Sequence, residues 1–383
     1  MKDSLSVFLL WISGATLRMT VVAILPLLVV TQNELGMSGT QVAILTTLPV
    51  ILMAVASPPG SLLIARVGPL NALLIGFLTT ALGGGLRAFA FNVWALYGAT
   101  AVMSLGVTLI QTSLPPLVRQ WLPDRATFGS AVYNNGFLIA AMLPIGFTMM
   151  LIPFLWDSWR IALAFWSLPT LLIALIVYLL APKDIAVPAP SVRLPWLPDW
   201  RDATMWKIGV IFGSCNLMYY GVNSFMPASL VHVGREDLVV LALTVLNAAC
   251  VPASFVLMAA ARYTEGRAWP LALSCGLSLA SIGGIVTTAS LWTVIFAGLL
   301  GFGVTCTMIL VLSLPLVLAA PRDIARLTAG IFVTAYVLGV SMSVISGAVW
   351  DLTGDPRFAF LPVVLGALPA LVIPFRLVFG RPA

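Results

Sequence analysis

Charge is what this chain has least of. Of its 383 residues only 8% are Asp, Glu, Lys or Arg, while 61% are hydrophobic. A soluble domain carries roughly 25% charged residues. With so few, the chain cannot cover a globule with a polar surface, which excludes a soluble domain and leaves an integral membrane protein. Histidine is almost missing, His232 being the only one. The four cysteines, Cys215, Cys250, Cys275 and Cys306, each fall in a different apolar segment with no metal spacing, and read as small buried hydrophobes. Acids are scarce where they would matter most. All 13 Asp and Glu lie in loops or at segment ends. No carboxylate pair, nucleophile–base pair or metal cluster can then form inside a membrane, which argues against an intramembrane enzyme. It also removes the usual carboxylate proton carriers of pumps and symporters. No metal and no cofactor are expected.

What is present is long apolar sequence. The runs extend well past twenty residues, the length of a helical span, where a barrel would show alternating strands of about ten. The first run does not read as a cleaved leader, because Arg18 sits near its middle and no small-residue cleavage site follows. Twelve spans can be drawn, near 5–31, 40–63, 70–90, 92–116, 127–153, 160–181, 205–230, 238–260, 268–289, 292–318, 325–349 and 358–379. The longest polar interruption, 182–204, holds five prolines and six charged residues. It divides the chain into 1–181 and 205–383. The expected fold is therefore all-α and membrane-embedded, twelve transmembrane helices in two six-helix bundles joined by a cytoplasmic linker.

Positive charge orients this arrangement. With the N-terminus inside, 14 of the 19 Lys and Arg are cytoplasmic, and only Arg160, Arg235 and Arg357 face out, with Arg18 and Arg87 within spans. Such an excess marks the cytoplasmic side, so both termini are expected there. The net charge of +6 comes from scattered single residues, which suits anionic lipid and not nucleic acid.

The halves echo each other. PLVRQWLPD (116–124) answers PLVLAAPRD (315–323), DSWRIALAF (157–165) answers DPRFAF (355–360), and ARVG (65–68) answers ARYTEG (261–266). Parallel six-helix repeats are the major facilitator arrangement, with substrate held near the membrane midplane.

Several stretches also resemble the cyanate and 2-nitroimidazole permease branch of that superfamily. They are Leu17-Arg18 followed by Pro26 to Leu28, GMSGTQVAILTTLPV (36–50), GLRAFA (85–90), IQTSLPPLVRQWLP (110–123), YYGVNSFMPASLVHVG (219–234) and WDLTGD (350–355). The chain departs from the family's pattern at Thr16 and Met19, where Asn and Pro are usual. It departs again at Ala65 before Arg66, where an Asp is usual, and at Phe225-Met226-Pro227, where a Trp precedes Leu-Pro. The resemblance implies a monomeric secondary transporter in a bacterial inner membrane, working by rocking of two bundles, with spans one, four, seven and ten lining the substrate path.

Arg18 lies about 13 residues into its span, ~20 Å from either end, beyond the reach of snorkelling. An Arg at a helix centre costs about 2.5–3.5 kcal/mol even on lenient scales, so it must face the bundle interior or water. Either helix carbonyls hold it as structural glue, or it is the fixed charge that receives a small anion, for which guanidinium offers parallel donors. Arg87 lies nearer the outer surface, where snorkelling or a gate contact is expected. Ser104, Thr108 and Gln111 share a face of span four, as Asn216, Tyr220 and Asn223 do on span seven. Tyr219, Asn134, Asn135, Asn247 and Tyr336 are further candidates, and each of these polar residues is equally read as an interhelical hydrogen bond. Arg66, Asp124 and Asp323 are expected to act in gating or structure. GLLGFG (298–303) and GGG (83–85) read as helix packing, because no strand precedes either. The sequence thus points to a transporter of a small anion (cyanate, nitrite, nitrate or a small carboxylate) or to an exporter of neutral nitroimidazole-like or other small aromatic compounds. A channel is disfavoured by the two-fold repeat.

Overall fold

A computed structural model describes residues 2–155, 158–182, 197–320 and 323–377. Most of the expected 182–204 linker therefore lies outside the described residues. Among those described, every regular element is helical. Eleven stretches are long and apolar enough to cross a membrane. We label them, with one more helix, α1 (Asp3–Leu27), α2 (Ile44–Val67), α3 (Pro69–Phe89), α4 (Val93–Trp121), α5 (Ala126–Thr148), α6 (Trp159–Leu180), α7 (Ala203–His232), α8 (Glu236–Thr264), α9 (Ala268–Thr287), α10 (Leu291–Leu318), α11 (Ile324–Thr353) and α12 (Pro356–Arg376). The additional helix is α7. Its 30 residues are ample for a hydrocarbon core of about 30 Å at 1.5 Å per residue. Asn216, Tyr219, Tyr220 and Asn223 in its middle make it less apolar than the rest.

Helix starts are set by local chemistry. The helix leading into α2 opens on a capping box, in which the Ser38 hydroxyl accepts the Gln41 N–H at 3.2 Å and the Gln41 side chain accepts the Ser38 N–H at 2.9 Å. Asn92 caps α4 through the Ala95 N–H at 2.8 Å, and Asp202 caps α7 through the Thr204 N–H at 2.8 Å. α1 is not continuous. Its α-helix stops at Val22 and resumes as a 3-10 turn over Leu25–Leu27. Pro26 has no N–H for the Val22 carbonyl, and its ring crowds that carbonyl.

Residues cluster into two compact units. One holds 1–125, 132–198 and 321–329, and the other holds 126–131, 199–320 and 330–383. The internal repeat shows in the backbone. The left-handed glycines Gly36 and Gly234 lie 198 residues apart, as do Gly68 and Gly266. The side-chain caps Asn92 and Ser290 keep the same spacing at the starts of α4 and α10. That register pairs Arg18 with Asn216, Gly136 with Thr334 and Arg87 with Ile285.

Candidate functional site

In the first unit the site is built on the crossing of α1 and α5. A side chain on Gly14 would run into the Tyr133 carbonyl, and one on Gly136 into the Trp11 carbonyl. The two backbones therefore touch, and the indole N–H of Trp11 donates to Asn135 Oδ1 at 2.8 Å across the same contact. One turn above Gly14, the guanidinium of Arg18 lies over the ring of Phe137, 5.1 Å from its centroid. A cation on an aromatic face is worth about 0.5–2 kcal/mol, more where water is scarce, which offsets part of the burial cost. Arg18 is half-buried.

The other candidates of this unit differ in role. Ser104 and Thr108 are buried and donate to carbonyls one turn back on their own helix, Thr100 at 2.7 Å and Ser104 at 2.8 Å. Of the α4 stripe only Gln111 is partly exposed. Asn134 is buried on α5. Arg66 is exposed in the last turn of α2, and Asp124 is exposed in the turn between α4 and α5. Asp323 immediately precedes α11, where its carbonyl accepts the Leu327 N–H at 2.8 Å.

Arg87 corrects an expectation. It neither snorkels nor reaches the surface, being 1% exposed. Its Nη2 donates to the Thr20 carbonyl at 2.7 Å, and its Nε has no hydrogen-bond partner among the described residues. The physical reason lies in the glycine run before it, which lets α3 approach its neighbours closely enough to bring the side chain inward. A Cβ on Gly83 would strike the Met103 backbone and one on Gly84 the Ser167 hydroxyl.

In the second unit the polar groups of α7 divide. Tyr219 donates its hydroxyl to Asn247 Oδ1 at 2.6 Å, Asn247 donates to Asn223 Oδ1 at 3.1 Å and to the Leu243 carbonyl at 2.8 Å, and Asn223 donates to the Tyr219 carbonyl at 2.8 Å. This closed network ties α7 to α8. Asn216 stands apart, buried, with a side-chain Nδ2 that has no partner. Tyr220 is half-buried and meets Tyr219 edge-on at 5.2 Å between centroids. Tyr336 on α11 is buried, stacked on Phe332 at 6.0 Å and beside Phe212. All four cysteines are buried free thiols.

Two charge pairs sit in the turns that join helices at the ends of the spans. Glu34 accepts from the Arg160 guanidinium and from the Trp159 indole, and these bonds hold its carboxyl below its usual range. Asp355 accepts from the Arg357 guanidinium, at 3.0 Å from Nε and 2.7 Å from Nη2, and from the Arg357 backbone N–H at 2.9 Å, and these bonds lower its pKa to about 2. His232 lies 3.8 Å from the same carboxylate.

Sequence reasoning did not single out Phe137, an apolar residue among many, and it gave Asn247 no special place, although Asn247 is the hub of the α7–α8 network. Its amide within an apolar run was the available signal.

Comparison with known proteins agrees with this architecture. Residues 10–344 match the family model described as Major Facilitator Superfamily. The chain is similar to the 2-nitroimidazole transporter of Escherichia coli, 25% identical over 376 residues, covering 96% of this chain and 93% of that one. It is similar to the cyanate transport protein CynX of the same organism, 24% identical over 341 residues, covering 88% and 86%. Its fold matches the crystal structure of FucP, a Major Facilitator Superfamily transporter, in the outward conformation, with a TM-score of 0.73 over 98% of each chain at 14% identity.

Proposed function

Because the chain belongs to the Major Facilitator Superfamily, a family of membrane transporters and not of enzymes, we propose that it is a secondary active transporter of a small anion of the cyanate, nitrite, nitrate or small-carboxylate class. It works by alternating access in a bacterial inner membrane, as a monomer with both termini cytoplasmic. The observation that carries this reading is Arg18, a half-buried guanidinium mid-span, seated on the Phe137 ring. No acid lies in the middle of any span to compete for it. The parallel donors of a guanidinium suit a planar anion. Asn216, at the equivalent position of the repeat, is a neutral candidate donor within the second unit. Gln111, Asn134, Tyr219, Tyr220, Asn223 and Tyr336 complete the candidate set. Without a buried carboxylate, transport proceeds by uniport, by anion exchange or by proton coupling that uses no intramembrane acid.

A second reading rests on the edge-on pair of Tyr219 and half-buried Tyr220. In it the cargo is a neutral nitroimidazole-like or other small aromatic compound, exported with its nitro group on Arg18. A thermal-shift screen of the purified protein separates the two. A ligand selective for the folded state adds RT ln(1 + [L]/Kd), about 2.7 kcal/mol at a hundred times Kd. Stabilisation by cyanate, nitrite, nitrate or a small carboxylate is expected. Stabilisation by 2-nitroimidazole alone overturns the anion reading in favour of the second.

A further inference from the structure

The buried Arg87 is not used by the substrate site, yet its one hydrogen bond lands on the helix that carries Arg18. The carbonyls of a helix's last turn lack intrahelical donors. In α1 that turn ends at Val22, and Pro26 brings no N–H to it. The Thr20 carbonyl lies in this turn, two residues beyond Arg18, and Arg87 fills it with a charged donor. A cation at a helix C-terminus is favoured by the peptide dipoles as well as by the bond itself.

The repeat supplies an independent control. At the position equivalent to Arg87, α9 carries Ile285, buried and apolar. The equivalent of α1 is α7, and it runs unbroken from Ala203 to His232. The fold thus does not require a cation at this place on its third helix. The cation and the helix break occur together, and only in the first unit. Gly84, whose added Cβ would lie 3.7 Å from Thr20 Cγ2, permits the approach that brings them together.

We propose that Arg87 is a positioning residue. It pins the break in α1 at residues 23–24 and so fixes the last helical turn and the orientation of Arg18. This deepens the proposed function and rests on Arg18 as the anion-binding group. The pin itself can be tested without any ligand.

Amide hydrogen exchange of the segment 19–28 is measured in the full-length wild type and in Arg87→Met, Arg87→Lys, Arg18→Ala and the double variant Arg87→Met/Pro26→Ala. Binding of cyanate and of 2-nitroimidazole is titrated on the same samples. Arg87→Met is expected to speed exchange at 19–28 at least tenfold, to leave α4 unchanged, and to weaken binding about tenfold. Arg87→Lys, which keeps a charged donor and the best chance of folding, is expected to show a smaller change in both. Restoring the N–H at position 26 lets the helix continue, so the double variant should slow exchange again, a rescue that a merely space-filling Arg87 would not show. Unchanged exchange at 19–28 in a folded Arg87→Met or Arg87→Lys protein overturns the pin. Faster exchange with wild-type binding overturns its role in positioning Arg18. Arg18→Ala should lose binding with normal exchange. If Arg18→Ala binds normally, the substrate reading falls with the positioning role, and the exchange result still decides the pin.

Discussion

The two units solve the same position differently. In the first, α1 and α5 touch backbone to backbone at Gly14 and Gly136, and the position two-thirds along α1 is Arg18, packed on Phe137. In the second, side chains separate the equivalent helices. Thr334 stands where Gly136 would be, its Cβ 2.7 Å from one added to Gly209, and an added Cβ on Gly213 would meet Leu338 Cδ2 at 2.7 Å, Leu338 Cβ at 3.0 Å and Ala335 Cα at 3.2 Å. The residue equivalent to Arg18 is Asn216, neutral and with an unpartnered amide nitrogen. The repeat therefore duplicates the scaffold and not the chemistry. A charge that is costly to bury sits at a crossing where an added Cβ would come within 2.0–2.1 Å of backbone carbonyls, while the neutral amide sits at one where an added Cβ would first meet side chains, at 2.7 Å.

The largest effect that would sharpen this contrast is at the crossings themselves. Gly136→Ala forces α1 away from α5 and should cost on the order of 3 kcal/mol, the upper range for overpacking. Gly213→Ala first meets the Leu338 side chain, with the Ala335 backbone 3.2 Å away, and should cost about 1 kcal/mol, the lower end of that range. Melting curves of the two purified variants give the comparison, and equal losses would break it.

Next comes the neutral network of the second unit. Asn247→Ala leaves the Tyr219 hydroxyl without its acceptor and Asn223 Oδ1 without its donor. A stability loss of about 1–2 kcal/mol is expected from membrane and buried hydrogen bonds together. Asn216→Ala should behave in the opposite way. Its Nδ2 has no partner among the described residues, so the melting temperature should hold, while affinity for a bound anion falls about tenfold, the worth of one hydrogen bond. A destabilised Asn216→Ala protein with intact binding would erase the distinction between the two asparagines.

The smallest effect concerns the turn between α11 and α12. The Arg357 guanidinium depresses the Asp355 pKa to about 2, from an unfolded value near 3.9. Its stabilisation is thus fully present above pH ~4 and fades as pH falls towards 2. Asp355→Asn should flatten the dependence of melting temperature on pH between 4 and 2, and an unaltered slope would remove this pair from the account.

How much of this could be read in the sequence differs by feature. The spans were legible because runs of twenty apolar residues have few alternatives, and the observed α6 (Trp159–Leu180) matches the segment drawn at 160–181. The break in α1 was not drawn, although Pro26 was visible, because hydropathy does not register a missing N–H. Counting along one helix puts Arg87 nearer the outer surface, whereas its burial follows from Gly83 and Gly84 letting α3 close on α4 and α6. Spacing alone puts Asn216, Tyr220 and Asn223 on one face of α7. Its division into a bonded Asn223 and an unpartnered Asn216 depends on Asn247, 24 residues further on. Phe137 had no signal, since nothing in an apolar helix marks which ring will lie under a cation.

The central claim is that the mid-span charge on α1 binds the cargo. It is tested most directly by titrating ligand into wild type, Arg18→Ala and Arg18→Lys while recording their melting curves. Two charge-assisted hydrogen bonds of about 1.5–3 kcal/mol each are at stake. Arg18→Ala is predicted to fold and to lose binding. Arg18→Lys is predicted to keep the charge, lose the planar fork, and bind well below wild type. A stable Arg18→Ala protein with wild-type affinity would contradict the account.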